Sequence, residues 1–276
     1  MDGIVYEHRL NIHDFVLPCH YENVYQILII LRGHITYTVE NTDYDVTAGG
    51  IIILNSLENH YLHVLEYPYE RILIRLDPSY FFDEVKSPDL MSMFIRRSKG
   101  FRHALSVSRT AFDDIMACVS NLESEYNGDG KLADLMVGAH IRRILVYIYR
   151  ECSMHEEGLP AGAVTIVSRA MNYMNKNFTR AISLDEIANV SMVSKDHLSH
   201  IFSRTTGSGI KQYLINLRIN HAKFLLCESD RNISEVAEAC GYEDVNYFSR
   251  QFRNAEGMSP RDFRRMVHER PAYDNG

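Results

Sequence analysis

The sequence has no tryptophan, and it has only five cysteines and seven prolines in 276 residues. Cys19, Cys118, Cys152, Cys227 and Cys240 are odd in number, scattered and free of any C-x-x-C pair. That argues against a disulfide framework and a zinc ribbon, and it fits reduced thiols in a cytoplasmic protein. No apolar run approaches the roughly 20 residues a membrane helix needs. The N-terminus MDGIVYEHRL carries neither the basic flank nor the apolar core of a secretion signal. A nucleophile elbow, a phosphate-cradling glycine loop and zinc-ligand spacing are also missing. The expectation is a protein that is not an enzyme, holds no cofactor or metal, and has no membrane partner. A strong positive charge is lacking too. The net charge is −7; from Ala161 onward 15 Lys and Arg stand against 13 Asp and Glu, or +2, so the acidity, −9, sits in the N-terminal part. Charge alone does not point to nucleic acid.

Apolar residues are 46% of the chain and charged residues 24%, a composition that suits two ordinary globular domains. Residues 20–76 read as many short strands. Gln26–Leu31 is an apolar run ended by Arg32-Gly33. His34–Glu40 alternates, Asn41-Thr42-Asp43 is a turn, Gly49-Gly50 precedes Ile51–Leu54, and Arg71–Leu76 alternates again. Such a pattern predicts a β-sandwich or small barrel. The period then becomes helical over Arg109–Glu125 and Lys131–Cys152, which are separated by Asn127-Gly128-Asp129-Gly130. This is an antiparallel hairpin with apolar residues on more than one face, a candidate for dimerisation. Glu151–Gly162 reads as a linker, and everything after it as helix. The predicted divisions are 1–106, a β-domain; 107–152, the hairpin; 153–163, the linker; and 164–276, an all-helical domain.

The C-terminal domain contains a repeat. Ser183–Ala188 (SLDEIA) matches Asn232–Ala237 (NISEVA) at a shift of 49 residues. Asp196–Phe202 matches Asn246–Phe252 at a shift of 50, Gly207 matches Gly257, and Tyr213 matches Phe263. Each copy has the physics of a helix-turn-helix. Ser183 with Glu186, and Asn232 with Glu235, have the spacing of a capping box. Ile187-Ala188 and Val236-Ala237 supply a small apolar face, and Ser194 and Asp244 are natural N-caps for the second helix of each unit. In those helices Leu198, Ile201 and Phe202, and Phe248 and Phe252, form the buried stripe. That leaves Lys195, Asp196, Ser199, His200 and Ser203 facing outward in one copy and Val245, Asn246, Tyr247, Ser249, Arg250 and Arg253 in the other. A donor- and acceptor-rich face near a helix N-terminus is what base reading in the major groove requires. The helix over Lys211–Leu226 holds the two units apart. Solvated faces of a plain helical bundle are the bland alternative, and two copies with matched caps and matched apolar positions weigh against it.

The segment Asn246–Arg264 (NYFSRQFRNAEGMSPRDFR), preceded by Gly241-Tyr242, resembles the signature of the AraC/XylS family, as Arg218–Ala222 followed by Leu225-Leu226 resembles that family's connecting helix. The likeness spans about Val164–Arg265. Gly241-Tyr242 stands where Gly-Phe is usual, and Gly209-Ile210 where the first copy often has Ser-Pro. The resemblance implies an α+β protein: an N-terminal cupin-like β-barrel with an α-helical hairpin, then an all-α domain of two helix-turn-helix units joined by a long helix. It implies double-stranded promoter DNA as the partner, with Asp196, Ser199, His200, Asn246, Tyr247 and Arg250 as base-facing positions. It further implies RNA polymerase as a second partner, a homodimer, and activation as the commoner outcome. His200 replaces a common arginine, so the first half-site is expected to be read differently.

The strand pattern with Gly33, Gly50 and His60 resembles, more loosely, the cupin-like sensor domain of that family, which binds a small effector. Metal-binding cupins use H-x-H-x3-E with a later histidine. Here the frame reads His20-x-Glu22-x3-Gln26, with His60 further on. A neutral amide is a poor ligand beside imidazole and carboxylate, so pocket lining is the better reading. A pocket drawing on His20, Glu22, Gln26, Tyr37 and His60 suits a hydroxyl-rich, sugar-like effector. Two alternatives stand beside it: a metal-dependent cupin enzyme with an accessory DNA module, and a regulator that answers to a protein.

Overall fold

In the computed structural model the alternation seen at His34–Glu40 runs back through Gly33, so Tyr25–Val39 forms one 15-residue strand, β3. Gly33 does not end the strand but bends it. Its φ is +91°, and a Cβ there would lie 2.7 Å from the Glu66 carbonyl oxygen; the pairing register shifts between Ile30 and Ile35. The main partner of β3 is equally long: His60–Leu76, 17 residues, β6. The expected collection of short strands is therefore two long bent ones with shorter strands on their flanks. These are β1 (Ile4–Asn11), β2 (Val16–His20), β4 (Thr42–Thr47), β5 (Ile51–Leu54) and β7 (Ala104–Leu105). All pairings are antiparallel, in the order β1-β6-β3-β5-β7, with β2 on β6 and β4 on β3. The structure describes residues 3–12, 16–20, 23–96, 101–151 and 162–269.

The first six residues of β3 and all of β5 are buried, so both faces are covered there, whereas β4 alternates and buries only Tyr44 and Val46. One face carries a cluster of Leu28, Ile30, Tyr37, Tyr44, Ile52, Leu62 and Tyr69. On the other, Tyr25 stacks on Phe81 at 4.0 Å and meets Phe94 edge-on at 5.6 Å. Phe81 and Phe94 belong to two short helices, α1 (Pro78–Glu84) and α2 (Pro88–Ile95). Both start with proline just after Asp77 or Ser87, where the missing N–H is not needed. The helical hairpin follows as α3 (Arg109–Asn127), capped by the Ser108 hydroxyl, and α4 (Ala133–Glu151). These elements belong to one unit of the chain, within residues 1–168 with 204–207. The other unit lies within 169–203 with 208–276.

The second unit is all helix: α5 (Ala163–Asn177, shared across the division), α6 (Leu184–Ser191), α7 (Lys195–Thr206), α8 (Ile210–Glu228), α9 (Ile233–Ala239), α10 (Val245–Glu256) and α11 (Pro260–Glu269). Both predicted capping boxes form, with side chain to backbone bonds in each direction for Ser183–Glu186 and Asn232–Glu235. Asp244 caps α10 by accepting from the Asn246 and Tyr247 amides, and Ser194 accepts from the His197 amide. The long helix α8 contributes Ile219, Ala222 and Leu226 to a core with Val236, Ala237, Phe248, Phe252 and Phe263. Phe248 and Phe252 are fully buried, which contributes about 1.5–3 kcal/mol each relative to exposure.

Candidate nucleic-acid interface and effector-binding face

Caps and the apolar stripe orient the second helix of each unit. In α7, Leu198, Ile201 and Phe202 are buried, and Lys195, Asp196, Ser199, His200 and Ser203 are all exposed, as the spacing predicts. Their availability differs. The Ser203 hydroxyl donates back to the Ser199 carbonyl at 2.9 Å. Lys195 Nζ sits 3.0 Å from Asp185 Oδ1, a pair exposed on both sides. In α10, Asn246 and Arg250 are exposed, and so is Arg253 one turn on. Tyr247 is half-buried; its ring tilts against Tyr242, with centroids 6.0 Å apart. The phenol edge, not the whole ring, is what that position presents. The second unit thus offers two exposed guanidiniums and an amide, while the lysine of the first is already paired.

Arg218 of α8, quoted in the sequence only for its likeness, has a defined task. Its Nε donates to the Phe178 carbonyl at 2.9 Å and an Nη to the Arg180 carbonyl at 2.8 Å. Its guanidinium carbon lies 5.3 Å from the Tyr242 ring centre, a cation–π contact. Burial pulls this guanidinium below its ordinary pKa and pushes the Tyr242 phenol up. The side chain ties the turn that enters the first unit to the turn of the second. Gly241 permits the approach: its φ is +78°, and a Cβ would lie 2.7 Å from the Phe178 carbonyl oxygen. The groove beside this junction, about 580 Å³, is lined by residues including Thr179, Arg180, Glu238 and Glu243. The entry turn has a second staple, in which Arg180 and the Tyr173 hydroxyl both donate to Glu186 Oε2, at 3.0 and 2.8 Å. The Tyr173 bond first, then the Ser183 amide and Arg180, hold the Glu186 carboxyl down at about 2.

In the first unit, Gln26, Tyr37 and His60 are buried. Tyr37 and His60 stack at 5.8 Å with planes 13° apart, and His60 Nδ1 bonds the Glu58 carbonyl at 2.9 Å. Gln26 lies toward the opposite end of β3, across from Arg75 and Leu54. Those three expected residues therefore do not meet at one point. The His20 backbone pairs with His60; its side chain and all of Glu22 lie outside the described residues, as do Cys19 beyond its backbone, Cys152 and most of the expected linker. A chain that sequence reasoning missed runs Tyr44 Oη–His103 Nδ1 at 2.9 Å and His103 Nε2–Glu58 Oε1 at 3.2 Å. His103 is distant in sequence and no local pattern marks it. Among the described residues no group of three or more His, Cys, Asp or Glu is placed to hold a metal ion. Cys118, Cys227 and Cys240 are free thiols. No helix among the described residues is long and apolar enough to cross a membrane.

The chain matches two known families. A helix-turn-helix domain matches residues 187–266, and an AraC-like ligand binding domain matches residues 3–145, more than half the chain. The HTH-type transcriptional activator RhaR of Salmonella schwarzengrund is 23% identical over 252 residues, 88% of this chain and 86% of that protein. The Msm operon regulatory protein of Streptococcus mutans is 24% identical over 244 residues, 88% and 84% of the two chains. The HTH-type transcriptional regulator YijO of Escherichia coli is 38% identical over 97 residues, 35% of this chain and 34% of that protein. Among solved structures, ToxT from Vibrio cholerae superposes with a TM-score of 0.56 at 15% identity, covering 96% of this chain and 99% of that one, so the cupin-like and tandem-helix arrangement is a known fold. Another ToxT structure holds an unsaturated fatty acid. A ligand-binding β-domain followed by paired helix-turn-helix units defines a ligand-responsive, DNA-binding regulator of transcription. The chain belongs to the AraC family of such regulators.

Proposed function

We propose that this protein activates transcription from promoter DNA together with RNA polymerase, without enzymatic activity, as a cytoplasmic homodimer. In this reading residues 1–106 sense a small molecule, 107–152 pair two subunits, 153–163 link, and 164–276 read DNA. The observation that carries it is the pair of capped helices, α7 and α10, each with its stripe buried and its outer face polar. Lys195, Asp196, Ser199, His200, Asn246, Tyr247 and Arg250 are the reading positions. Arg250 and Asn246 carry most of the base discrimination, since an arginine fits guanine and an asparagine adenine.

The test is binding to the chain's own upstream intergenic DNA and to an unrelated duplex, each at two salt concentrations. Tight, salt-sensitive and sequence-selective binding is expected. Arg250→Ala and Asn246→Ala should each cost about 1–3 kcal/mol on the selected site and relax preference there. Parental discrimination in both variants would remove α10 from the interface.

Subunit pairing has its own support. Leu132, in the turn just before α4, and Leu135 are each 62% exposed, and Met136 is 44% exposed in the first turn of α4. Ala139, Val146 and Tyr147 continue the same stripe at helical spacing. Leu135→Glu should lower the mass measured by sedimentation to that of one chain while leaving the fold intact. The effector class expected of His20, Glu22, Gln26, Tyr37 and His60 is hydroxyl-rich and sugar-like, with Tyr37 and His60 stacked and Gln26 apart from them.

A further inference from the structure

Resting on the reading of α7 and α10 as the two DNA-reading helices, we infer that Arg218 is a positioning residue for half-site spacing. With the Tyr242 ring it fixes the angle between the two helix-turn-helix units about α8, and so restricts recognition to half-sites at one separation. The distance between the units is kept by α8 itself, a continuous helix of 19 residues. The angle about that helix is a separate matter. Toward one end of α8, Tyr213 meets Phe202 of α7; toward the other, Lys223 Nζ reaches Glu256 of α10 at 3.2 Å. Arg218 lies midway between them and touches both units. On one side it donates to the Phe178 and Arg180 carbonyls, at 2.9 and 2.8 Å. These follow Asn177, the last residue of α5, where unpaired acceptors and partial negative charge favour a cation.

On the other side the guanidinium carbon lies 5.3 Å from the Tyr242 ring centre. That buried ring tilts against Tyr247 at 6.0 Å and Phe248 at 5.2 Å, both in α10, so Arg218 bears on a base-facing position through one ring. The Tyr242 hydroxyl is buried and makes no hydrogen bond among the described residues, which leaves the ring face as the working part. The described partners of Arg218 are carbonyls and a ring, with no carboxylate, so added salt has little to screen. Two readers on one face of a duplex take half-sites about one helical turn, or 10–10.5 base pairs, apart, so one base pair more or less rotates a half-site by about a tenth of a turn. A fixed junction cannot follow that rotation; a loosened one can.

The test uses the full chain and a duplex that the parent selects from a randomised pool, with derivatives carrying one base pair inserted or deleted between the halves. Binding is read by fluorescence anisotropy at two salt concentrations. The parent should bind each altered spacing at least about tenfold more weakly, the cost of a lost base contact, and Arg218→Gln and Tyr242→Leu should cut that ratio to about threefold or less. Salt should weaken every complex and leave the parent's ratio unchanged. Arg218→Lys, which keeps the charge but loses the planar fork, should fall between. Tyr242→Phe, which keeps the ring, should match the parent. Base preference within each half should persist in all four variants, since no reading side chain is altered. A parental ratio in Arg218→Gln and Tyr242→Leu, whatever their melting temperatures, would make the junction a stability element alone and overturn the inference. So would a parent that tolerates altered spacing while base changes in both halves weaken it, a measurement that needs no variant. A parent weakened by base changes in one half only removes the reading of α7 and α10 as joint readers, and the inference with it.

Discussion

Phe252 meets Phe263 edge-on, with ring centres 5.5 Å apart and planes at 73°; fifty residues earlier Phe202 meets Tyr213 at 5.7 Å and 70°. The repeat is thus a repeat of packing as well as of letters, since each unit clamps its second helix to the helix that follows with one perpendicular aromatic pair. Tyr in place of Phe has a local reason: the Tyr213 hydroxyl accepts from Asn175 Nδ2 at 3.0 Å. Phe252→Ala should destabilise by about 3–5 kcal/mol, the usual cost of emptying a buried aromatic site. Tyr213→Phe should cost only about 1 kcal/mol, one hydrogen bond. Urea denaturation of both variants checks this; equal losses would mean that the ring contact is not the clamp.

Met192 and Gly241 occupy matching places in the two turns, and both have left-handed backbones, φ +59° and +78°. Met192 is 78% exposed, so its side chain does little to offset that conformation. Met192→Gly should stabilise by roughly 0.5–1 kcal/mol, the left-handed penalty less the entropy of glycine. Gly241→Ala should do the reverse and more, about 2–4 kcal/mol, because its Cβ also runs into the Phe178 carbonyl. Opposite shifts in melting temperature are the expected result, and shifts of one sign would contradict the equivalence of the turns.

The second unit was legible because its signals are local. A capping box spans four residues and a buried stripe five, so Ser183–Glu186, Asn232–Glu235 and the Leu198 and Phe248 stripes were readable without tertiary knowledge. The β-domain was less so. Whether Gly33 ends a strand or bends one depends on the approach of residues 66–69, more than thirty positions away. β1 went unread because its alternation is masked by charge at Glu7, His8 and Arg9. Asp77-Pro78 and Ser87-Pro88, which start α1 and α2, are local signals that also went unread. At the candidate sites, exposure followed from helical spacing, but the state of each side chain did not: the Lys195–Asp185 pair and the tilt of Tyr247 are set by contacts between elements.

Acid should expose the staple at the entry to the first unit. The folded Glu186 carboxyl titrates at about 2, below its ordinary 4.5, because it accepts from Tyr173, Ser183 and Arg180. A depressed carboxyl contributes stability that is fully present above the unfolded value and is lost as pH falls through the folded one. The contribution should therefore be complete above about pH 4.5 and gone near pH 2. Because the group is exposed, it should also shrink with added salt. Glu186→Gln should accordingly lie below the parent in stability at pH 6 and converge on it toward pH 2. A constant difference across that range would show that the bonds, not the charge, matter.

Lys195, on a predicted DNA-reading face, is ion-paired with Asp185. Exposed pairs of this kind are worth about 0–1 kcal/mol, so breaking it should barely move the fold. Its effect on DNA should be larger in proportion. A phosphate that takes Lys195 must first displace Asp185, and the aspartate's own charge repels the backbone. Asp185→Asn removes both obstacles. It should tighten binding to every duplex and steepen the salt dependence, by up to about one released counterion. Lys195→Ala should weaken binding uniformly across sequences and flatten the slope by about one, whereas Arg250→Ala should change preference between sequences. The Asp185 and Lys195 variants therefore report on position along the backbone, and the Arg250 variant on base reading. Measuring affinity against salt for the three proteins on two duplexes separates these roles. Unchanged slopes for Asp185→Asn and Lys195→Ala would place α7 off the phosphates and leave α10 as the element that holds the DNA.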